Sequence, residues 1–251
     1  TIEQQANPLL RNRPIAVAAY NKDFGCILAP SVEAKKLGIK VGTRVIEAKK
    51  ICPNIVVLEP DPAKYRFAHL QLSKILNEYT NEVSPKSIDE FVVDFSKSPK
   101  YKHDLVTVGK CIKDDIKSVL GEYVTVSIGI GTNRFLAKTA AGLHKPDGLD
   151  VIDCTNFYTT YEKLHLLDLC GIAKQNEIRL NMNNIFTVLD FYHASVSKLR
   201  LAFKSVLGAY WHQRLRGFEV DDVEFDRKSF NNSYVCPPKI KGREQVLPIL
   251  A

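Results

Sequence analysis

Two adjacent carboxylates, Asp89 and Glu90, stand just behind Pro85 and at the head of the apolar run Phe91-Val92-Val93-Asp94. In a regular strand, neighbouring side chains point to opposite faces, so both carboxylates reach one site only where the backbone bends. Pro85 with the polar Ser84, Lys86 and Ser87 predicts such a bend. Carboxylates held at a strand's edge in a basic protein point to a divalent-metal site for phosphate chemistry. An isolated Asp-Glu pair at a turn is more often ordinary solvated surface, so the rest of the chain has to decide.

Two lysines offer the complementary charge. Gly129-Ile130-Gly131-Thr132-Asn133-Arg134 turns into a helix over about Asn133 to Leu143. It is no dinucleotide fingerprint, because Arg134 stands at the third glycine position, and no P-loop, because no G-K-[ST] follows. On that helix Arg134 and Lys138 share a face at i, i+4 spacing. Lys145 sits beside the turn Pro146-Asp147-Gly148. Taken singly, each lysine reads as solvated surface.

A net charge of +7 over 251 residues favours an anionic partner, nucleic acid or an acidic membrane surface. The basic residues are spread along the chain, as on a folded surface. The six cysteines stand far apart with no C-x-x-C pair and no His at zinc spacing, which predicts reduced, mostly buried thiols in a cytosolic protein. No signal peptide or membrane-crossing apolar run is recognisable. The opening Thr1-Ile2-Glu3, without a Met, reads as an excised piece.

The elements that must position these groups follow from the patterning. Pro14 to Tyr20 and Gly25 to Ala29 read as strands, Val32 to Leu37 as a short helix stopped by Gly38, then a helix capped by Thr43 and a strand over Ile55 to Leu58. This is a small α/β lobe. A helix from Ala63 carries the stripe Tyr65, Ala68, Leu72, Ile75, Leu76, Tyr79 and Val83, and a second carries Leu105, Val108, Ile112, Ile116 and Val119. Tyr123 to Ile130 is a β run, and Leu149 to Ile152 closes the region. Strand and helix therefore alternate around the acidic bend, which predicts a sheet with helices on one face. From Thr155 the chain reads as all helix, with a tight link at Leu169-Cys170-Gly171-Ile172-Ala173. Two short helices around such a glycine hairpin present backbone N–H groups to a DNA phosphate without reading sequence. Lys198, Arg200, Lys204, Arg214 and Arg216 add cationic groups. Asp221 to Glu224 reads as an acidic linker, Lys228-Ser229-Phe230 as a new strand and Arg243 to Ala251 as a helix.

Together these motifs resemble the Y-family DNA polymerases, the translesion enzymes of the DNA polymerase IV type. The resemblance is carried, in order, by Thr1 to Gln5 with Asn7-Pro8 and Arg13 to Val17, by Glu33 to Ile39, by Ser87-Ile88-Asp89-Glu90, by Ser127 to Ile130 with Asn133, Leu136-Ala137-Lys138 and Lys145 to Gly148, by Leu169 to Ala173, and by Lys228-Ser229. It implies an α+β right-hand architecture: small α/β fingers with the edge of the palm over 1–60, a palm sheet with helices over 61–153, an all-helical thumb with a helix-hairpin-helix over 154–225, and a linker with the start of a little finger over 226–251. It implies template-directed transfer of a nucleotide from dNTP to a primer 3′-OH, with two Mg²⁺ ions. Asp89 and Glu90 would be catalytic and metal-ligating. Lys35, Lys138 and Lys145 would bind the nucleotide, and Gly171, Ala173 and Lys174 the DNA backbone. The partners implied are primer-template DNA and dNTP, with a sliding clamp through parts beyond this chain, in a cytoplasmic monomer with no membrane contact.

Departures from the family pattern are also visible. The family's first catalytic Asp and its aromatic sugar gate would lie before Thr1, so the chain alone is expected to be nearly inactive. Val32 and Lys35 stand where a phosphate-binding Tyr and Arg are usual, and Lys35 keeps the charge without the bidentate fork. Ala173 replaces a hairpin glycine. Two other readings are a non-catalytic DNA-binding relative and an unrelated two-metal nuclease or cyclase, which would need neither the thumb hairpin nor the lysines after Ile130.

Overall fold

The apolar run after Pro14 forms β1 (Ile15–Ala18), and the chain returns antiparallel as β2 (Ile27–Pro30). The computed structural model describes residues 1–98, 104–222, 242 and 244–245. Residues 1–221 form one unit and residues from 222 another. The strand expected at Lys228-Ser229-Phe230 lies outside the described residues, as does most of the expected terminal helix.

Helix α1 (Ile2–Ala6) precedes β1, and α2 (Val32–Lys36) and α3 (Val45–Ile51) follow β2 before β3 (Val56–Leu58). The sheet order is β2-β1-β3, with β3 parallel to β1. Ala16, Ala18, Ile27, Ala34, Ile39, Val45 and Ala48 close its core. Ser31 caps α2 by accepting from the Ala34 amide. Arg44, not Thr43, is the N-cap of α3; the Thr43 hydroxyl instead accepts from the Lys40 amide inside the preceding turn.

Helix α4 (Pro62–Asn77) starts where Asp61 accepts from the Lys64 amide and Pro62 needs no donor. Glu3 of α1 takes the Lys64 ammonium and the Tyr65 hydroxyl, both at 2.8 Å, and so docks α1 on α4. Helix α5 (Leu105–Leu120) ends at Gly121, whose φ of +101° few other residues adopt. Ile75 and Leu76 of α4 meet Val108, Ile112 and Ile116 of α5, as their spacing predicts. Val119 falls outside that stripe and is exposed.

Two further strand pairings differ from the single sheet expected around the acidic bend. β4 (Val83–Pro85) and β5 (Phe91–Val93) form an antiparallel hairpin, while β6 (Ile128–Gly131) and β7 (Leu149–Ile152) form a separate parallel pair. The run from Tyr123 to Ser127 is not strand. Its backbone is satisfied otherwise: the Tyr123 amide donates to the Gln5 side chain and the Val124 amide to the Gly121 carbonyl.

Helix α6 (Arg134–Leu143) joins β6 to β7. Beyond it lie α7 (Phe157–Lys163), α8 (Lys174–Asn181), α9 (Val188–His193), α10 (Val196–Phe203) and α11 (Leu207–Arg214). Trp211 anchors their core, edge-on to Phe135 of α6 at 5.3 Å and stacked with Phe203. The element before the glycine link is a 3-10 turn, Leu166–Asp168, rather than an α-helix. Of the described cysteines only Cys52 is buried; Cys26, Cys111, Cys154 and Cys170 are exposed, against the expectation of buried thiols. Among the described residues no helix is long and apolar enough to cross a membrane.

Asn133 ties the α6 start to the end of the helical segment. Its buried side chain accepts from the Leu136 amide at 2.7 Å and donates to the carbonyls of Arg214 and Phe218, both at 2.9 Å. Asn133→Ala removes a cap and the side-chain donor to two carbonyls, of which that of Arg214 keeps the Gly217 amide, so we expect a loss of about 2–3 kcal/mol in urea unfolding.

Candidate active site

The acidic pair lies on the five-residue loop Lys86–Glu90 that joins β4 to β5. The loop is closed by the Lys86 and Ser87 amides, which both donate to the Glu90 carbonyl. The bend demanded by the neighbouring carboxylates is therefore present, as a hairpin tip. The Ser87 hydroxyl donates to an Asp89 carboxylate oxygen at 2.7 Å and orients it. Below the tip, His69 of α4 stacks on Phe91 at 4.9 Å, and its Nδ1 lies 3.0 Å from the Ile88 carbonyl. His69 escaped the sequence reading, because nothing local joins it to residue 88. Ser87, two residues ahead of an Asp, was a readable turn signal.

Glu90 meets Lys138 of α6, with Nζ 2.5 Å from a carboxylate oxygen. The glycines of β6 make this possible. A Cβ on Gly129 would lie 1.9 Å from the Ala137 carbonyl oxygen and 2.2 Å from the Ala141 amide, and one on Gly131 would lie 2.6 Å from the Ala137 amide. Only bare backbone lets α6 lie this close to the strand, and that distance sets how far Lys138 reaches. The Glu90 hydrogen bond holds the Lys138 ammonium above its usual range against the opposing effect of burial, with the Glu90 and Asp89 charges adding to it.

Arg134 shares the α6 face with Lys138 but serves a different partner. Its amide donates to Glu219 and its guanidinium to the Asp221 carbonyl. Arg214 pairs with Asp221 through Nε at 2.8 Å, and Arg216 stacks on Tyr192 at 4.6 Å. These two arginines of the expected cationic set are thus engaged within the fold.

Lys35 is exposed on the last turn of α2, and Lys145 is exposed between α6 and β7. Neither pairs with Asp89 or Glu90. Gly171 takes φ +95° ahead of α8, and no side chain caps that helix; the Asn176 and Glu177 amides both donate to the Ala173 carbonyl. Lys174 pairs with Glu177 at 2.6 Å. Among the described residues no three His, Cys, Asp or Glu side chains converge as a metal cluster. Two carboxylates nevertheless suit Mg²⁺, a hard ion that is commonly held by one or two carboxylates with water and substrate phosphates completing its shell.

Residues 1–142, which carry Lys35, the acidic loop and Lys138, match the family described as IMS, impB/mucB/samB. The chain belongs to the impB/mucB/samB family. It is 30% identical over 249 residues to a DNA polymerase IV of Staphylococcus aureus strain JH9, covering 98% of this chain and 69% of that protein. Among solved structures it resembles a Y-family DNA polymerase chimera of Dbh and Dpo4, at TM-score 0.80 and 25% identity over 90% of this chain and 67% of that one. DinB from Sulfolobus solfataricus gives TM-score 0.75 and 26% identity over 86% of this chain and 63% of that one. The family match ends within α6, before β7.

Proposed function

We propose that Asp89 and Glu90 are the catalytic, metal-ligating carboxylates of this chain. The chain is a DNA-directed DNA polymerase of the Y family, performing template-directed translesion synthesis. The observation that carries the residue assignment is the hairpin tip itself: two adjacent carboxylates, the exposed Asp89 oriented by Ser87 and the half-buried Glu90 neutralised by Lys138.

Nucleotidyl transfer in this family depends on a divalent metal. Two Mg²⁺ ions, when bound, would lower the pKa of the primer 3′-OH and neutralise the triphosphate. The chain's own residues do the rest. Ser87 fixes the Asp89 carboxylate, and the closed loop holds Glu90 next to it. Lys138 balances the charge of Glu90 and, on a flexible stem, supports a nearby phosphate. Lys145 and Lys35 receive the triphosphate, Lys35 as a point charge. The amides around Gly171, Ala173 and Lys174 hold the duplex backbone without reading its sequence. In this reading residues 1–60 are fingers with the palm edge, 61–153 palm, 154–225 thumb and 226–251 the linker and the start of a little finger. The protein works in the cytoplasm as a monomer, on primer-template DNA and dNTP.

The test is primer extension by the full gene product and its Asp89→Ala variant; equal extension by the two would rule out the assigned site. Duplex binding is expected to be electrostatic. About four phosphate contacts would weaken affinity roughly 10²-fold when salt rises fourfold. Fluorescence anisotropy on a labelled primer-template checks this, and a flat salt response would count against the thumb assignment.

A further inference from the structure

We propose that Asp147, clamped by Lys113 and Lys117 of α5, is a positioning residue that fixes the turn presenting Lys145 to the triphosphate of the incoming nucleotide. The inference rests on the reading of Lys145 given above. Lys113 and Lys117 are one helical turn apart and share a face. Lys113 Nζ lies 2.9 Å from one Asp147 carboxylate oxygen, and Lys117 Nζ lies 3.1 Å from the other. Each oxygen thus has its own ammonium. Lys113 also donates to the backbone carbonyls of Asp147 and Gly148. One side chain therefore binds both the carboxylate and the backbone of the same turn.

The clamp is shielded from water. The side chains of Lys113, Lys117 and Asp147 are only 13%, 27% and 32% exposed. Burial pushes the Asp147 carboxyl up, but the two lysine ammoniums beside it outweigh this and hold the group below its usual range. Screening is weaker here than for an open surface pair, so the clamp constrains the turn more firmly. The backbone is tightly specified as well. Asp147 sits at φ +62°, where residues with a Cβ are uncommon, and a Cβ on Gly148 would lie 2.5 Å from the His144 carbonyl oxygen. The turn is thus held from its α5 side, while Lys145, two residues earlier, remains exposed. A flexible cation on a rigid base loses less freedom when it engages an anion than one on a mobile loop.

A purely structural anchor would be a stability element and nothing more. The experiment separates the two using the full gene product, with dNTP KM and kcat from primer extension and Tm for each variant. Asp147→Asn keeps the shape and removes the charge. We expect it to raise dNTP KM about tenfold with kcat changed by less than about threefold. Lys117→Met, which releases one carboxylate oxygen only, is expected to shift KM in the same direction and keeps the question answerable if Asp147→Asn fails to fold. In a Lys145→Ala background, Asp147→Asn is expected to add nothing further to KM. A lowered Tm with unchanged KM for both clamp variants would overturn the inference, as would an equal KM increase with and without Lys145. If Lys145→Ala alone leaves KM at the wild-type value, it is the Lys145 reading that falls instead.

Discussion

Substituting Asp89 with asparagine lowers kcat for primer extension by at least about 10³-fold, equivalent to about 4 kcal/mol of transition-state stabilisation. The reason is local. The side chain is exposed, and it accepts from the Ser87 hydroxyl at 2.7 Å, which donates equally well to an amide oxygen. Loop geometry therefore survives, while one of two adjacent negative charges is lost. A hard divalent cation binds far more weakly to one carboxylate and a neutral amide than to two carboxylates. Rapid-quench extension measures the rate, and thermal melting should show a Tm close to wild type. A variant that keeps most of its rate would move the metal site elsewhere. Glu90→Gln is a harsher structural change, because it also frees Lys138. That pair is nearly half exposed, so its loss should cost little stability.

The second large effect is expected at Gly129 of β6, which packs directly against α6. Gly129→Ala places a Cβ within 1.9 Å of one backbone atom and 2.2 Å of another on α6. Backbone atoms of a packed helix cannot swing aside as a flexible side chain can, so α6 must lift from β6. Overpacking of this kind costs about 3 kcal/mol or more, against a total of roughly 5–15 kcal/mol for a folded domain. A drop in Tm on the order of 10 °C follows for a unit of this size. Lifting α6 also withdraws Lys138 from Glu90, so activity should fall by more than unfolding explains. Melting by circular dichroism together with extension measured well below Tm separates the two losses.

Much of the site was legible from residues close together in the chain. Pro85, Ser87 and the Asp-Glu pair predicted a bend, and a hairpin tip is found there. The stripes of α4 and α5 and the stop at Gly121 also follow from local pattern. The β run from Tyr123 misled, because β propensity does not reveal that Gln5 and Gly121 satisfy its backbone. The cysteines misled too, since a small apolar residue carries no local mark of which side faces water.

What the sequence alone determined is the set of chemically capable groups, their order and the bend that joins the two carboxylates. These depend on spacings of a few residues, over which chain stiffness and turn chemistry dominate. Only the tertiary structure decided the partners. Lys138 meets Glu90 across 48 residues, Asn133 reaches carbonyls 81 and 85 residues away, and Asp147 is claimed by lysines 34 and 30 residues earlier. Those pairings depend on how closely α6 can approach β6 and on where α5 lies beneath β7. Both are set by excluded volume at Gly129 and Gly131 of β6 and at Gly109 of α5, where a Cβ would lie 2.8 Å from Leu149 and the missing side chain is itself the determinant.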